Sequence, residues 1–183
     1  ALAETLEHFL AAQQNAFVYF GGAPRKVMVD NLKSAVLSHP AGQPAIFNPR
    51  YLDFAAFHGF AIKACNVRKA NEKGRVENAV GYVKKSFLNG LNLTSLEAVN
   101  TAARRWLDEV ANVRIHGQTR QKPVELWTLE KPKLLPLASG VYDVGLVRSV
   151  HATNRCRVVF DTNRYSVPHE YASCRLSLRA YPD

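Results

Sequence analysis

Apolar and polar positions repeat along the chain with the periods of helices and strands. Residues 1–20 place apolar side chains three and four positions apart and stop at a pair of glycines, which predicts an amphipathic helix. Residues 27–29 are consecutively apolar, a pattern typical of a strand covered on both faces. That strand ends at Asp30. With Asn31, Asp30 can either cap the following turn or meet a ligand beyond the strand.

A proline-containing segment separates this strand from the next helix. Residues 32–49 predict a loop or an irregular hairpin. Asn48 is placed to cap a helix that has Pro49 at its first position and ends before Gly59. A second strand is predicted over residues 61–67, although polar side chains interrupt it. The apolar face of the helix comprises Tyr51, Leu52, Phe54, Ala55 and Phe57.

A third helix begins near Gly74 and carries the carboxylate of greatest interest, Glu77. Apolar residues recur at helical spacing, which predicts a stripe that faces a core. Glu77 lies beside that stripe, with Lys73 and Lys84 near it on the helix surface, so its face suits a phosphate backbone. The alternative is a solvated helix on which Glu77 only pairs with one of these lysines. The stripe consists of Val76, Val80, Val83 and Phe87.

The second half of the chain changes from helical to β-rich patterning. Residues 94–97 match a capping box, which predicts a helix that runs to about Gly117. Positive charge follows in a loop, at Arg114, His116 and Arg120. Residues 121–136 hold three prolines and predict a linker that docks through Trp127. Three further segments predict a small antiparallel sheet or barrel: residues 141–150, 157–167 and 175–181.

Composition narrows the function classes. The net charge of +9 over 183 residues and a pI near 9.7 favour a polyanionic partner, nucleic acid before membrane. No apolar run has the ~18 residues of a membrane span, and the start lacks the order of a signal peptide, so we expect a cytoplasmic protein. Three cysteines without a CxxC pair disfavour disulfides and structural zinc. Because the chain begins at Ala1 and its only methionine is Met28, we expect a piece of a longer reading frame.

Two carboxylates beside a basic surface are the groups that metal-dependent phosphoryl transfer uses. Carboxylate oxygens hold Mg²⁺ or Mn²⁺, and a pair of such ions ~4 Å apart can activate the attacking oxygen and stabilise the leaving oxygen. Asp30 and Glu77 are the candidates, although they are too far apart in sequence to form a local motif. Candidate DNA-binding residues, inferred from charge, are Lys33, Arg68, Lys69, Lys73, Arg75, Lys84 and Lys85.

Several motifs, in order, resemble the IstA-type transposases of bacterial insertion sequences. They are FGGAPRKVMVDNLKSAV, FNPRYLDFAAFHGF, KGRVENAVGYVKKSFLNG, WLDEVANVRIHGQTRQKPVELW and NRYSVP. The resemblance implies an RNase H-like core, similar to retroviral integrases, with an Asp-Asp-Glu triad and divalent metal. Asp30 matches the second acidic ligand and Glu77 the third, with Glu72 a weaker rival. The first Asp and a helix-turn-helix region would precede Ala1.

The predicted fold class is α/β: a partial RNase H-like integrase catalytic core, a helical linker and a small β-barrel-like C-terminal domain. We expect these to cover residues 1–92, 93–136 and 137–183. Without the first strands, an apolar sheet edge would be exposed and promote self-association. The partners expected from the resemblance are transposon and target DNA, further copies of the chain and an ATPase helper protein. No membrane partner is expected, and the location would be the bacterial cytoplasm, at the nucleoid.

Two hypotheses from different classes remain open. The first is a portion of a DNA transposase that joins a 3′-hydroxyl to a target phosphodiester through Mg²⁺ and is inactive by itself. The second is a non-catalytic nucleic-acid-binding remnant of a transposase, in which the carboxylates are structural. A metabolic α/β enzyme is disfavoured because the sequence has no Gly-rich phosphate loop, nucleophile elbow or Cys-His pair.

Overall fold

The computed structural model describes residues 5–30, 32–40, 42–65, 74–92 and 95–182, with the backbone alone for Gly74 and Arg75. These residues form a mixed α/β structure. The α-helices are α1 Leu6–Phe20, α2 Pro49–His58, α3 Gly74–Val83, α4 Leu96–Trp106 and α5 Pro123–Glu130. The strands are β1 Lys26–Val29, β2 Val36–Ser38, β3 Ile46–Phe47, β4 Ala61–Ala64, β5 Leu146–His151, β6 Arg157–Phe160, β7 Asn163–Ser166 and β8 Arg175–Ala180. None of the described helices combines the length and apolar character needed to cross a bilayer.

The chain divides into two compact units, after Ala16 and again after Ser139. Phe17–Ser139 forms the larger unit, and Ala1–Ala16 joins Gly140–Asp183 in the smaller one. The boundaries expected after residues 92 and 136, between the catalytic core, the helical linker and the C-terminal domain, stay predictions.

The larger unit contains a parallel pair of strands, β1 and β4. β1 and β4 run side by side with Val27 opposite Ile62 and Val29 opposite Ala64. Val29 is buried, but Met28 is 46% exposed, so the expectation that this strand is covered on both faces is wrong for the described residues. Consecutive side chains of a strand point to opposite faces, and only the face of Val29 meets the core.

The segment between the two strands folds as the sequence predicts. β2 and β3 pair as an antiparallel hairpin whose register shifts between Val36 and Ser38, so it is irregular. The Asn48 side chain accepts a hydrogen bond from the Arg50 N–H at 3.0 Å and caps α2, with Pro49 at the first position. α2 ends at Gly59, which has a φ of +75° and adopts the left-handed conformation that glycine favours.

An aromatic cluster fills the core of the larger unit. Its members are Phe17, Tyr51, Phe54, His58 and Phe60, with neighbouring ring centroids 4.5–6.3 Å apart. The buried positions of α2 follow the i, i+3, i+4, i+7 pattern of one helical stripe. Leu52 and Phe57 fall outside that stripe and are 49% and 37% exposed, so the buried face is narrower than predicted.

The apolar stripe predicted on the third helix is only partly covered. Val76 and Val80 are 65% and 47% exposed, so the prediction that these two residues face a core is wrong in the described structure. Phe87, the last member of the stripe, does contact Trp106 of α4, and so does Tyr82 from outside the stripe, each with ring centroids 5.4 Å apart. A π-helical turn over Lys84–Leu88 follows α3 and interrupts the 3.6-residue period on which the prediction relied.

The next two helices differ from the prediction at their ends. The Ser95 side chain caps α4 by accepting the Ala98 N–H at 3.2 Å, whereas the predicted cap Thr94 lies outside the described residues. α4 ends at Trp106 and a π-helical turn ends at Ala111, well before Gly117.

The predicted linker is wrong in one respect, because it contains a helix. α5 starts at Pro123, whose fixed φ suits a first helical position. A 3₁₀ turn over Lys131–Lys133 follows. Trp127 docks on Phe20 with ring centroids 5.1 Å apart, as predicted.

The smaller unit is built from two antiparallel ribbons. β5 pairs with β8 and β6 pairs with β7, which confirms the predicted antiparallel arrangement. The β6–β7 loop consists of Asp161 and Thr162, both at positive φ, so the 157–167 segment is a tight hairpin. A 3₁₀ turn over His169–Tyr171 precedes β8. Within residues 140–182 the strands do not close into a barrel.

Candidate metal and DNA site

Asp30 lies at the carboxyl end of β1 and is exposed. The Leu32 N–H donates to the Asp30 carbonyl oxygen, which bends the chain away from the strand. On the neighbouring strand, the Cys65 N–H donates to the Val29 carbonyl oxygen at 2.9 Å, so β1 and β4 end at the same sheet edge. Ligands of parallel sheets gather at that edge, so Asp30 occupies a position suited to binding.

Glu77 lies in the first turn of α3 and is exposed. The positive end of the helix dipole favours a carboxylate in that turn. Gly81 and Lys84 follow at four and seven positions, on the same side of the helix, and leave this side small and basic. Asn78 and Tyr82 point from an adjacent face into a cleft.

The chain connection allows these two carboxylates to approach. α3 begins nine residues after Cys65, a stretch that reaches at most about 30 Å when extended. Within the described residues, no group of three or more His, Cys, Asp or Glu side chains is placed to hold a metal ion. Two carboxylates still match Mg²⁺ chemistry, because this ion is commonly bound by one or two carboxylates together with waters and substrate phosphates.

The predicted basic residues are placed only in part. Lys33 is exposed in the turn before β2, and Lys84 and Lys85 are exposed in the π-helical turn after α3. Arg75 is in the first turn of α3, where only its backbone is described. The predictions for Arg68, Lys69, Glu72 and Lys73 fall outside the described residues.

A cleft opens beside the helix that carries Glu77. It has a volume of about 930 Å³, with α3 on one side and the end of α4 and the following turn on the other. This volume lies within the range of about 300–1,000 Å³ that is usual for ligand sites. Tyr82 and Trp106 form its apolar wall, and Trp106 Nε1 donates to the Ser86 hydroxyl at 3.2 Å.

Arg114 and His116 supply the basic groups of this cleft. The Arg114 guanidinium carbon lies 3.5 Å from the Tyr82 ring centroid, a cation–π contact. The sequence identified both residues as loop charges but gave no sign of the contact with Tyr82. No helix or strand period relates residues so distant in sequence.

Comparison with known proteins gives a consistent result. Residues 137–183 match the family described as Mu transposase, C-terminal domain. The chain is 33% identical over 174 residues to the transposase for insertion sequence element IS21 of Pseudomonas aeruginosa, covering 94% of this chain and 44% of that protein. It is 33% identical over 183 residues to a transposase of Aminobacter aminovorans, covering 100% of this chain and 36% of that protein. It is 37% identical over 147 residues, or 79% of its length, to the protein assigned as transposase for IS5376 of Geobacillus stearothermophilus. The chain therefore spans 36% to 44% of the length of these relatives.

Proposed function

This chain belongs to the IS21-type insertion-sequence transposases, and we propose that it carries two of the acidic metal ligands of the parent enzyme's strand-transfer site. Asp30 and Glu77 are the proposed ligands. The reaction is the attack of a DNA 3′-hydroxyl on a target phosphodiester. The chain by itself is expected to be inactive, because the first acidic ligand of the triad is not among its residues.

The observation that carries the proposal is the order and placement of the two acids. Asp30 ends a strand of a parallel pair, and the helix that follows the second strand of that pair presents Glu77 in its first turn. Residues at the carboxyl edge of a parallel sheet and at the start of the next helix are the usual sources of such a site. This arrangement supports an RNase H-like core for the parent.

A divalent cation held by Asp30 and Glu77 would supply charge stabilisation for the transferred phosphoryl group. The protein's own contribution would be to hold the two carboxylates and to position DNA with the exposed Lys33, Lys84 and Lys85. The net charge of +9 supports a DNA partner, because each Lys or Arg that neutralises a phosphate releases counterions.

The parent's partners are part of the same proposal. We expect transposon ends and target DNA, further copies of the enzyme and an ATPase helper protein, with Mg²⁺ or Mn²⁺ as the cofactor. The enzyme would act at the bacterial nucleoid.

The test uses the full-length parent transposase with Asp30→Asn or Glu77→Gln. Each variant should lose strand transfer by more than about 100-fold, because loss of a metal ligand removes several kcal/mol of transition-state stabilisation. DNA affinity, measured by fluorescence anisotropy, should stay within about twofold in both. Glu97→Gln is the matched control, because Glu97 is an exposed glutamate in the first turn of α4. Wild-type strand transfer in either Asp30→Asn or Glu77→Gln would refute the assignment.

A further inference from the structure

We propose that the cleft between α3 and the turn after α4, defined by Tyr82, Trp106, Arg114 and His116 and called here the Arg114 cleft, binds a phosphodiester of the DNA strand. This inference rests on the proposed function, because it assigns a DNA-contacting surface to the same helix that carries Glu77. Neither residue spacing nor net charge identifies this surface, since its parts come together only in the folded chain.

The charge of the Arg114 cleft favours an anion. Among the described residues, its lining includes one arginine and one histidine and no aspartate or glutamate. The polar groups that accompany them are amides and a hydroxyl, from Asn78, Asn112, Gln118 and Thr119. A phosphodiester carries a negative charge and oxygen acceptors, and these match N–H and O–H donors.

Arg114 is held in one orientation before any ligand binds. The Tyr82 ring covers one face of the guanidinium, and Nη1 donates to the Ala111 carbonyl oxygen at 3.4 Å. A guanidinium carries five N–H donors in a fixed plane, so these two contacts leave a fork of donors for phosphate oxygens. An arginine fixed in this way loses little side-chain entropy when it binds.

His116 is placed to donate a second hydrogen bond. The Thr119 N–H donates to Nδ1 of His116 at 3.3 Å, so in the neutral ring the proton is on Nε2. The backbone of the turn is also fixed, because the His116 N–H donates to the Gln121 carbonyl oxygen at 3.0 Å. The Arg120 N–H donates to the His116 carbonyl oxygen at 2.8 Å.

The position of the cleft on α3 favours DNA over an acidic protein segment. Asn78 lines the cleft and directly follows Glu77 on the helix. A strand bound beside Asn78 would continue past the carboxylate that we assign to the reaction. The aromatic wall of Tyr82 and Trp106 can also contact a sugar or base, a contribution that an acidic peptide does not need.

The test measures the binding of a DNA duplex to the 183-residue chain by fluorescence anisotropy over a range of salt concentrations. Arg114→Gln should raise Kd roughly tenfold and lower the slope of log K against log salt by about 0.9, the loss of one phosphate contact. Arg104→Gln is the matched control, because it removes the same charge from an exposed position on α4. This control should change Kd by less than about twofold.

A second measurement keeps the proposal testable if Arg114→Gln unfolds the chain. Trp127→Phe leaves Trp106 as the only tryptophan, so its emission reports occupation of the Arg114 cleft. Added DNA should change that emission at concentrations matching the anisotropy Kd. An unchanged emission would overturn the proposal. A folded Arg114→Gln variant with wild-type DNA affinity and salt slope would also overturn it, and an acidic protein segment would then be the remaining candidate ligand of the cleft. If Asp30→Asn keeps strand transfer while Arg114→Gln weakens binding, the proposed function fails and the cleft assignment stands.

Discussion

At the residue scale, Gly22 shows how one missing side chain permits a backbone contact. Ala23 and Leu135 exchange two backbone hydrogen bonds, at 3.0 and 2.8 Å, in an isolated β-bridge. A Cβ at Gly22 would lie 2.7 Å from the Leu135 carbonyl oxygen and 2.8 Å from the Leu134 Cβ. The segment after α5 therefore packs on residues 22–23 because position 22 carries no side chain.

Gly22→Ala should lower the free energy of unfolding by about 1–3 kcal/mol, the range seen when a packed site is overfilled. Gly81→Ala is the matched control. A Cβ at Gly81 meets nothing within 4 Å, and alanine in a helix is favoured over glycine by about 0.5–1 kcal/mol, so this variant should be more stable. Urea unfolding followed by circular dichroism measures both. Equal stability of the two variants would show that the backbone around position 22 shifts to admit a Cβ without loss of stability.

At the scale of the element, α2 buries a histidine, His58, among aromatic rings that offer its nitrogens no hydrogen bond. His58 is 7% exposed, and its ring lies 4.5 Å from Phe54 and 5.2 Å from Phe17, measured between centroids. Neither ring nitrogen has a hydrogen-bond partner among the described residues. Burial lowers the pKa of His58 below its usual value of 6.5, because desolvation penalises the charged ring.

This shift predicts how the stability of the fold depends on pH. Below about pH 6.5 the unfolded chain binds a proton at His58, whereas the folded chain binds it only at a lower pH. The free energy of unfolding therefore decreases as the pH is lowered. His58→Phe should weaken this dependence between about pH 7.5 and pH 5.5 and gain stability at the lower pH. Urea titrations of both proteins at the two pH values measure the effect. The same pH dependence in both proteins would mean that His58 does not cause it.

At the scale of the whole molecule, the first residues of the chain fold in the same compact unit as the last ones. Ala1–Ala16 and Gly140–Asp183 form one compact unit, in which the Tyr142 N–H donates to the Gln14 side-chain oxygen at 3.1 Å. Leu10 of α1 is fully buried. Within residues 140–182, the buried apolar side chains are Ala152, just after β5, and Val158 of β6, so this small unit needs the apolar face of the helix.

Residues 137–183 alone should therefore fail to unfold cooperatively, since a segment of this size rarely buries a sufficient core. The same segment fused through a flexible linker to residues 1–16 should show a cooperative thermal transition. Far-ultraviolet circular dichroism compares the two, with Leu10→Ala in the fused protein as the control. That control should lose about 2–5 kcal/mol of stability. A cooperative transition in residues 137–183 alone would mean that the helix is dispensable for this unit.

The sequence by itself determined the family, the order of most elements except α5, and several of their ends. Local rules were sufficient there, because the Asn48 cap and the Gly59 stop depend on the chemistry of neighbouring residues. Sequence-based prediction failed where the burial of a side chain depends on a neighbouring element. The valine stripe of α3 has the right period, yet a neighbouring helix meets Tyr82 instead, and a π-helical turn shifts the period that follows.

Only the tertiary structure decided which side chains share a surface. The contact between Tyr82 and Arg114, the burial of His58 and the joining of residues 1–16 with 140–183 all involve partners from separate elements. Periodicity reports how one element presents its own side chains. It contains no information on which face of another element lies opposite, since packing is selected by the shape and charge of both surfaces together.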